Sequence, residues 1–180
     1  MRVGAAAIGV LALAQVSPDG PRVLRPRDKS AVAAGKLSII ARSGAPLLLD
    51  GKPVDAKRPG PGALAAEVHL APGLHELSAG GQTIRFFAGP NPPAGFQAYR
   101  LHPPSGASCE TCHAVRDGAW EFRGAETSCL GCHDLKKFPV THTHNTEVLA
   151  ECGLCHDPHG STGKFHLKFV RETACKLCHG

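Results

Sequence analysis

Cys152-Gly153-Leu154-Cys155-His156-Asp157-Pro158-His159-Gly160 decides how the second half of this 180-residue chain folds. Its first five residues set a pattern that occurs three more times, as Cys109-Glu110-Thr111-Cys112-His113, Cys129-Leu130-Gly131-Cys132-His133 and Cys175-Lys176-Leu177-Cys178-His179. The four pentapeptides use all eight cysteines. Two residues between the cysteines let both sulfurs reach the two vinyl groups of one porphyrin as thioethers. The next residue then turns its imidazole beneath the iron. Cys-x-x-Cys-His is the attachment signature of haem c. Four copies predict four covalent haems c on Cys109, Cys112, Cys129, Cys132, Cys152, Cys155, Cys175 and Cys178. The proximal ligands would be His113, His133, His156 and His179.

A six-coordinate iron needs a second axial ligand. Methionine is excluded, because Met1 is the only one and falls in a leader-like segment. Seven histidines lie outside the pentapeptides. His69 and His75 sit far upstream and read as exposed strand residues. The other five are His102, His142, His144, His159 and His166. The expected distal set is His102, His142, His144 and His159, with His166 as the alternative. His159 follows His156 by three residues and cannot pass round the same porphyrin, and Pro158 stiffens the path. It is therefore expected at a neighbouring haem, which would lock two porphyrins together. His142 and His144 point to opposite sides of an extended segment and would serve two haems. Bis-histidine irons without methionine imply low potentials.

Other metal and redox chemistry is weighed against this. The intervals from Cys112 to Cys129 and from Cys155 to Cys175 both fit a Cys-x-x-Cys…Cys-x-x-Cys zinc template. An exported chain with eight cysteines could also form disulfides. Neither reading gives a reason for a histidine directly after all four pairs. The formal charge of +5 does not imply nucleic acid, because the basic residues are scattered, with no aromatic interleaving. Haem propionates would also bring the sum close to neutral.

Composition divides the chain at about residue 90. All the cysteines and nine of the eleven histidines follow that point. The expected organisation is a leader at 1–14, a β-sandwich at 21–88, a Pro/Gly linker at 89–95 and a tetrahaem domain at 96–180. The leader reading rests on Arg2, the apolar run Val3 to Leu13 and the small-x-small Ala12-Leu13-Ala14. That run is too short to span a bilayer, which takes roughly 20 residues. In the first domain, short apolar segments alternate with turn signals at Asp50-Gly51, Ala71-Pro72-Gly73 and Gly80-Gly81. They predict a small antiparallel sandwich with two hairpins. The second domain, about 85 residues rich in Gly and Pro, cannot bury an adequate core from protein alone. Porphyrins would supply the missing apolar surface, packed by Trp120, Phe122, Phe138, Phe165 and Phe169. The fold class expected there is mostly coil and short helix organised by haem.

The second domain also repeats internally. His102 precedes the first pair of motifs as His142 and His144 precede the second, and Asp157-Pro158-His159-Gly160 follows the third motif. On these residues it resembles the doubled-CXXCH multihaem cytochromes, a branch of the cytochrome c3-like proteins. The first pair departs from that pattern in lacking a Pro-His element after His113. The stretch Val68 to His75 resembles the closing hairpin of immunoglobulin-like accessory domains in bacterial exported proteins. The cytochrome resemblance implies bis-histidine haems in an exported electron carrier, periplasmic or extracellular, rather than an enzyme. Its partners would be redox proteins, among them other multihaem cytochromes or further copies of this chain. No nucleic acid or membrane span is expected. Two further readings stand beside it: a reductase with one open iron, and a structural haem subunit docked through its β-domain to a larger complex or filament. The Cys175/Cys178 haem, next to Gly180, is expected at the surface, where electrons enter or leave.

Overall fold

The computed structural model describes residues 20–103, 107–134, 136 and 151–180. The expected leader, Phe138, His142 and His144 lie outside them.

The first half forms two sheets because its strands alternate. Strand β1 is Arg22–Arg25, β2 Ser30–Val32, β3 Gly35–Arg42, β4 Leu47–Leu49, β5 Lys52–Pro53, β6 Ala63–Leu70, β7 Gly73–Ala79 and β8 Gln82–Ala88. A final short strand, β9, is Gln97–Ala98. One sheet runs β1-β3-β6 and the other β5-β4-β7-β8-β2-β9. In the first, Leu37 faces Val68, Ile39 faces Ala66 and Ala41 faces Leu64 across the antiparallel register. A one-residue slip would turn this apolar set to solvent, so burial of one face fixes the register. In the second sheet, Leu77 opposes Ile84. Leu77, Ile84, Phe86 and Ala88 join Ile39 and Leu47 in one core. Both hairpin turns have positive φ at their two central residues, Asp50 and Gly51, then Gly80 and Gly81. That is the type I′ pattern, whose twist suits hairpins.

Three expectations change. The sandwich is mixed rather than antiparallel, because β2 runs parallel to both β8 and β9. No local pattern marks β1 or β2, each only three or four residues long. The sheet also continues past the Pro/Gly run at 89–95, since Gln97 and Ala98 pair with Ser30 and Ala31. His75 is not an exposed strand residue. Its side chain is 11% exposed, and its ring packs on Phe86 at 5.5 Å. His69 is exposed as expected.

The second half has short elements. Strand β10 (Arg100–Leu101) pairs with β13 (Gly160–Ser161), and β11 (His113–Arg116) pairs with β12 (Ala119–Phe122). Helix α1 is Ala125–Ser128 and α2 is Arg171–His179. Among the described residues every buried apolar side chain lies between Val23 and Ala88. Beyond it, Val115, Phe122, Leu130, Leu154, Phe165, Phe169 and Val170 are all exposed. Seven exposed apolar side chains over 115–170, with none buried among the described residues, leave the described part of that half without a protein core.

The sandwich grips this second half. The β1–β3 register shifts between Val23 and Arg25, and such a bulge re-aims a side chain. Arg25, 6% exposed, donates from Nε to the His159 carbonyl at 2.8 Å and from Nη2 to the His102 carbonyl. Arg27 pairs with the buried Asp157 carboxylate. Tyr99 donates its hydroxyl to the His159 carbonyl at 3.1 Å.

Candidate haem-binding site

Each Cys-x-x-Cys-His unit is wound into a helical turn. Cys109–Thr111 and Cys152–Leu154 are 3-10 turns, Cys129 follows α1, and Cys175 and Cys178 lie within α2. The turns close through Cys112 N–H to the Cys109 carbonyl at 3.2 Å, His133 N–H to Cys129 at 2.9 Å and His156 N–H to Cys152 at 3.0 Å. On a helical surface, residues three and four apart are neighbours. The turn therefore gathers both cysteines and the following histidine onto one face. All eight thiols are unbridged. Burial pushes the Cys129 thiol up to about 11, with the Cys152 thiol beside it adding to the rise. The second and third motifs thus meet at these two sulfurs. Among the described residues no three His, Cys, Asp or Glu side chains converge as a zinc ribbon requires.

The histidines carry the most information. The rings of His113 and His159 have centres 6.1 Å apart and planes within 8°. Those of His102 and His133 are 5.8 Å apart and within 15°. A metal–imidazole bond is about 2 Å. Adding about 1.2 Å from nitrogen to ring centre on each side puts two axial imidazoles of one metal about 6.4 Å apart. Both pairs come within about 0.6 Å of that spacing, with their rings parallel and stacked. His166 stands edge-on to His102, with centres 5.1 Å apart.

Tautomers agree with this. His156 Nδ1 lies 2.7 Å from the Phe165 carbonyl and His102 Nδ1 lies 3.1 Å from the Pro158 carbonyl. Donation from Nδ1 to a carbonyl leaves the Nε2 lone pair free for a metal, the usual arrangement around ligating histidines. His75 is the contrast: its Nδ1 bonds Asp50 at 2.7 Å and its Nε2 bonds the Ala71 carbonyl at 2.8 Å, so neither nitrogen is free. Burial lowers the His159 pKa to about 4, helped by the Arg25, His113 and Arg27 charges and opposed by Asp157. That side chain is neutral at physiological pH, the form that binds metal. Burial likewise lowers His113.

Of the sequence-predicted ligands, the fold brings His113, His133, His102 and His159 into facing pairs. His142 and His144 fall outside the described residues. Cys175, Cys178 and His179 are exposed on α2. Sequence reading missed Arg25, Arg27 and Tyr99. No spacing rule marks an arginine that a strand bulge turns inward. Asp157 stands in the opening string, yet nothing there showed that its carboxylate would be buried against Arg27.

Residues 144–180 match the family model of the doubled CXXCH motif. No curated protein and no solved structure matches the chain. This segment therefore carries a feature of multihaem c-type cytochromes. Its motifs indicate covalently bound haem c in a protein of electron transfer. No helix among the described residues is long and apolar enough to cross a membrane.

Proposed function

We propose that this chain is an exported tetrahaem c-type cytochrome that relays electrons through closely spaced bis-histidine haems. The observation that carries the reading is the pair of facing imidazole sets, His113 with His159 and His102 with His133. His159 would then serve the haem of Cys109 and Cys112, and His102 that of Cys129 and Cys132. His142 and His144 are the candidates for the irons of His156 and His179, with His166 in reserve. When bound, the haems supply one-electron exchange at low potential. The chain's own residues do the rest. Cysteines tether, imidazoles close both axial positions, and carbonyls at Phe165 and Pro158 hold the tautomer. An iron closed on both faces takes no substrate, which favours a carrier over a reductase.

The test is intact mass with a reduced-minus-oxidised spectrum on the protein matured in a cytochrome-competent host. Four haem increments and low-spin spectra, with no carbon monoxide uptake on reduction, are expected. The His159→Ala variant should bind one carbon monoxide per chain. Fewer than four increments, or uptake by the parent protein, would refute the reading.

A further inference from the structure

We infer that the β-sandwich is the rigid frame of the first two haem sites, with Arg25 as the positioning residue for the distal ligands His159 and His102. The inference rests on the tetrahaem reading above and adds to it a role for the first half of the chain.

The ligand segments are irregular. His102 follows the two-residue strand β10, and His159 precedes the equally short β13. The His102 ring bonds the Pro158 carbonyl, but strands this short leave the backbone of both residues to be held from elsewhere. Arg25 supplies what they lack: one guanidinium, planar and forked, donates to the carbonyls of both residues at once. Its Nη1 reaches Ser38 Oγ at 3.5 Å, back in the sandwich. Tyr99 adds a second bond to the His159 carbonyl. Asp157, held by Arg27, accepts the His159 backbone N–H at 3.0 Å. The backbone of His159 is thus fixed at its N–H and its carbonyl, from three side chains anchored in or beside the sheets.

His113, the other member of that pair, is also supported. Trp120 lies against His113, ring centres 5.3 Å apart and planes within 12°. Behind Trp120 sits Gly60, in the segment between β5 and β6. A Cβ there would fall 2.1 Å from the indole ring, so only glycine lets the sandwich come this close. Both imidazoles of the His113/His159 pair therefore rest on the first half of the chain. Partners of this outer kind typically change metal affinity about 10–100-fold when lost.

The experiment uses the full-length holoprotein. Three variants are made, Arg25→Met, Arg25→Lys and Tyr99→Phe, each checked by mass for four haems. In Arg25→Met the distal imidazoles should bind iron about 10–100-fold more weakly. The readouts are carbon monoxide uptake at one or two haems and shifted midpoint potentials for those haems, with the remaining potentials unchanged. Arg25→Lys keeps the charge but loses the fork, so it should rescue at most one of the two sites. Tyr99→Phe should shift a single potential. Arg25→Met protein with four haems, no carbon monoxide uptake and four parental potentials would overturn the inference. Should Arg25→Met fail to mature, Tyr99→Phe decides, and parental potentials throughout would overturn it equally. Failure of the tetrahaem reading is distinguishable, because it appears in the unmodified protein as missing haem mass or carbon monoxide uptake.

Discussion

Replacing Gly160 by alanine should unlock the second half of the chain, at a cost the local geometry allows to be worked out. Gly160 has φ of +118°, a conformation L side chains rarely adopt, and such strain costs about 1–3 kcal/mol. A Cβ at Gly160 would also lie 2.6 Å from the Arg100 carbonyl oxygen and 2.6 Å from the Tyr99 hydroxyl. Ordinary contact needs roughly 0.8 Å more, and overpacking of this kind costs about 1–3 kcal/mol. Neither neighbour can retreat freely. Arg100 is paired with Ser161 in the β10–β13 ladder, and the Tyr99 hydroxyl is bonded to His159. The sum is about 2–6 kcal/mol, or about 4–24 °C in Tm at roughly 2–4 °C per kcal/mol. The control is Gly153→Ala, within the same motif but with nothing within 4 Å of its Cβ. In a helical turn that change is neutral or stabilising by up to about 1 kcal/mol. Guanidinium unfolding of the holoprotein, followed by haem absorbance after mass confirms full loading, measures both. A Gly160→Ala protein within about 0.5 kcal/mol of the parent would refute the reasoning, since a clash against paired backbone cannot be so cheap.

Other predictions follow from the same contacts. Phe86→Ala, at a fully buried ring, should cost about 3–5 kcal/mol in urea unfolding monitored by far-ultraviolet circular dichroism. The haem-free chain should keep protected amides in β3, β6, β7 and β8 and lose them beyond residue 107. Protection of the second half without haem, seen by hydrogen exchange, would contradict the absence of a protein core there. His75 and Asp50 give a pH-dependent term. For both groups burial is the largest influence and opposes the net shift. The Ala71 carbonyl and Asp50 outweigh it and raise His75, while the Glu76 N–H and His75 outweigh it and lower Asp50. The His75 contribution is complete below its ordinary 6.5 and fades as pH rises through the raised value. The Asp50 contribution is complete above its ordinary 3.8 and fades as pH falls through the lowered value. With Asp50 half exposed, the pair should contribute below about 1 kcal/mol. Urea midpoints of the parent should fall between about pH 5.5 and pH 8.5 more than those of His75→Gln; equal falls would count against the pair.

Where the sequence was legible, a local rule left little choice. Asp50-Gly51 and Gly80-Gly81 mark type I′ turns, and β4–β5 and β7–β8 flank them as the two hairpins. Four Cys-x-x-Cys-His strings announce their chemistry through covalent spacing that no tertiary context alters. The rest was hidden because it depends on pairs distant in sequence. Strand β2 is three residues whose parallel partners lie at 86–88 and 97–98, so no local periodicity marks it. Arg25 looked like one of several scattered cations until a bulge turned it inward, 134 residues from the carbonyl it holds. The ring contact of His159 with His113 joins two motifs distant in sequence, and Pro158 suggested only that His159 turns away from its own motif.

The buried arginine bears on what the sandwich is for. A module that served only for adhesion would have no reason to sink a guanidinium between its own sheet and the second half of the chain. Burial lowers the Arg25 pKa against the opposing influence of Tyr99 and Asp157, which records how far the charge has been taken from water. Such a group is costly unless its donors are met. They are met here by carbonyls that exist in the right place only when His102 and His159 are in position. The dependence runs both ways. The sandwich fixes the segments of His102 and His159, and those segments satisfy a cation the sandwich would otherwise bury unpaired. Whatever binds and orders the second half must then also stabilise the first, because a ligand held only by the native arrangement shifts the folding of everything that arrangement requires.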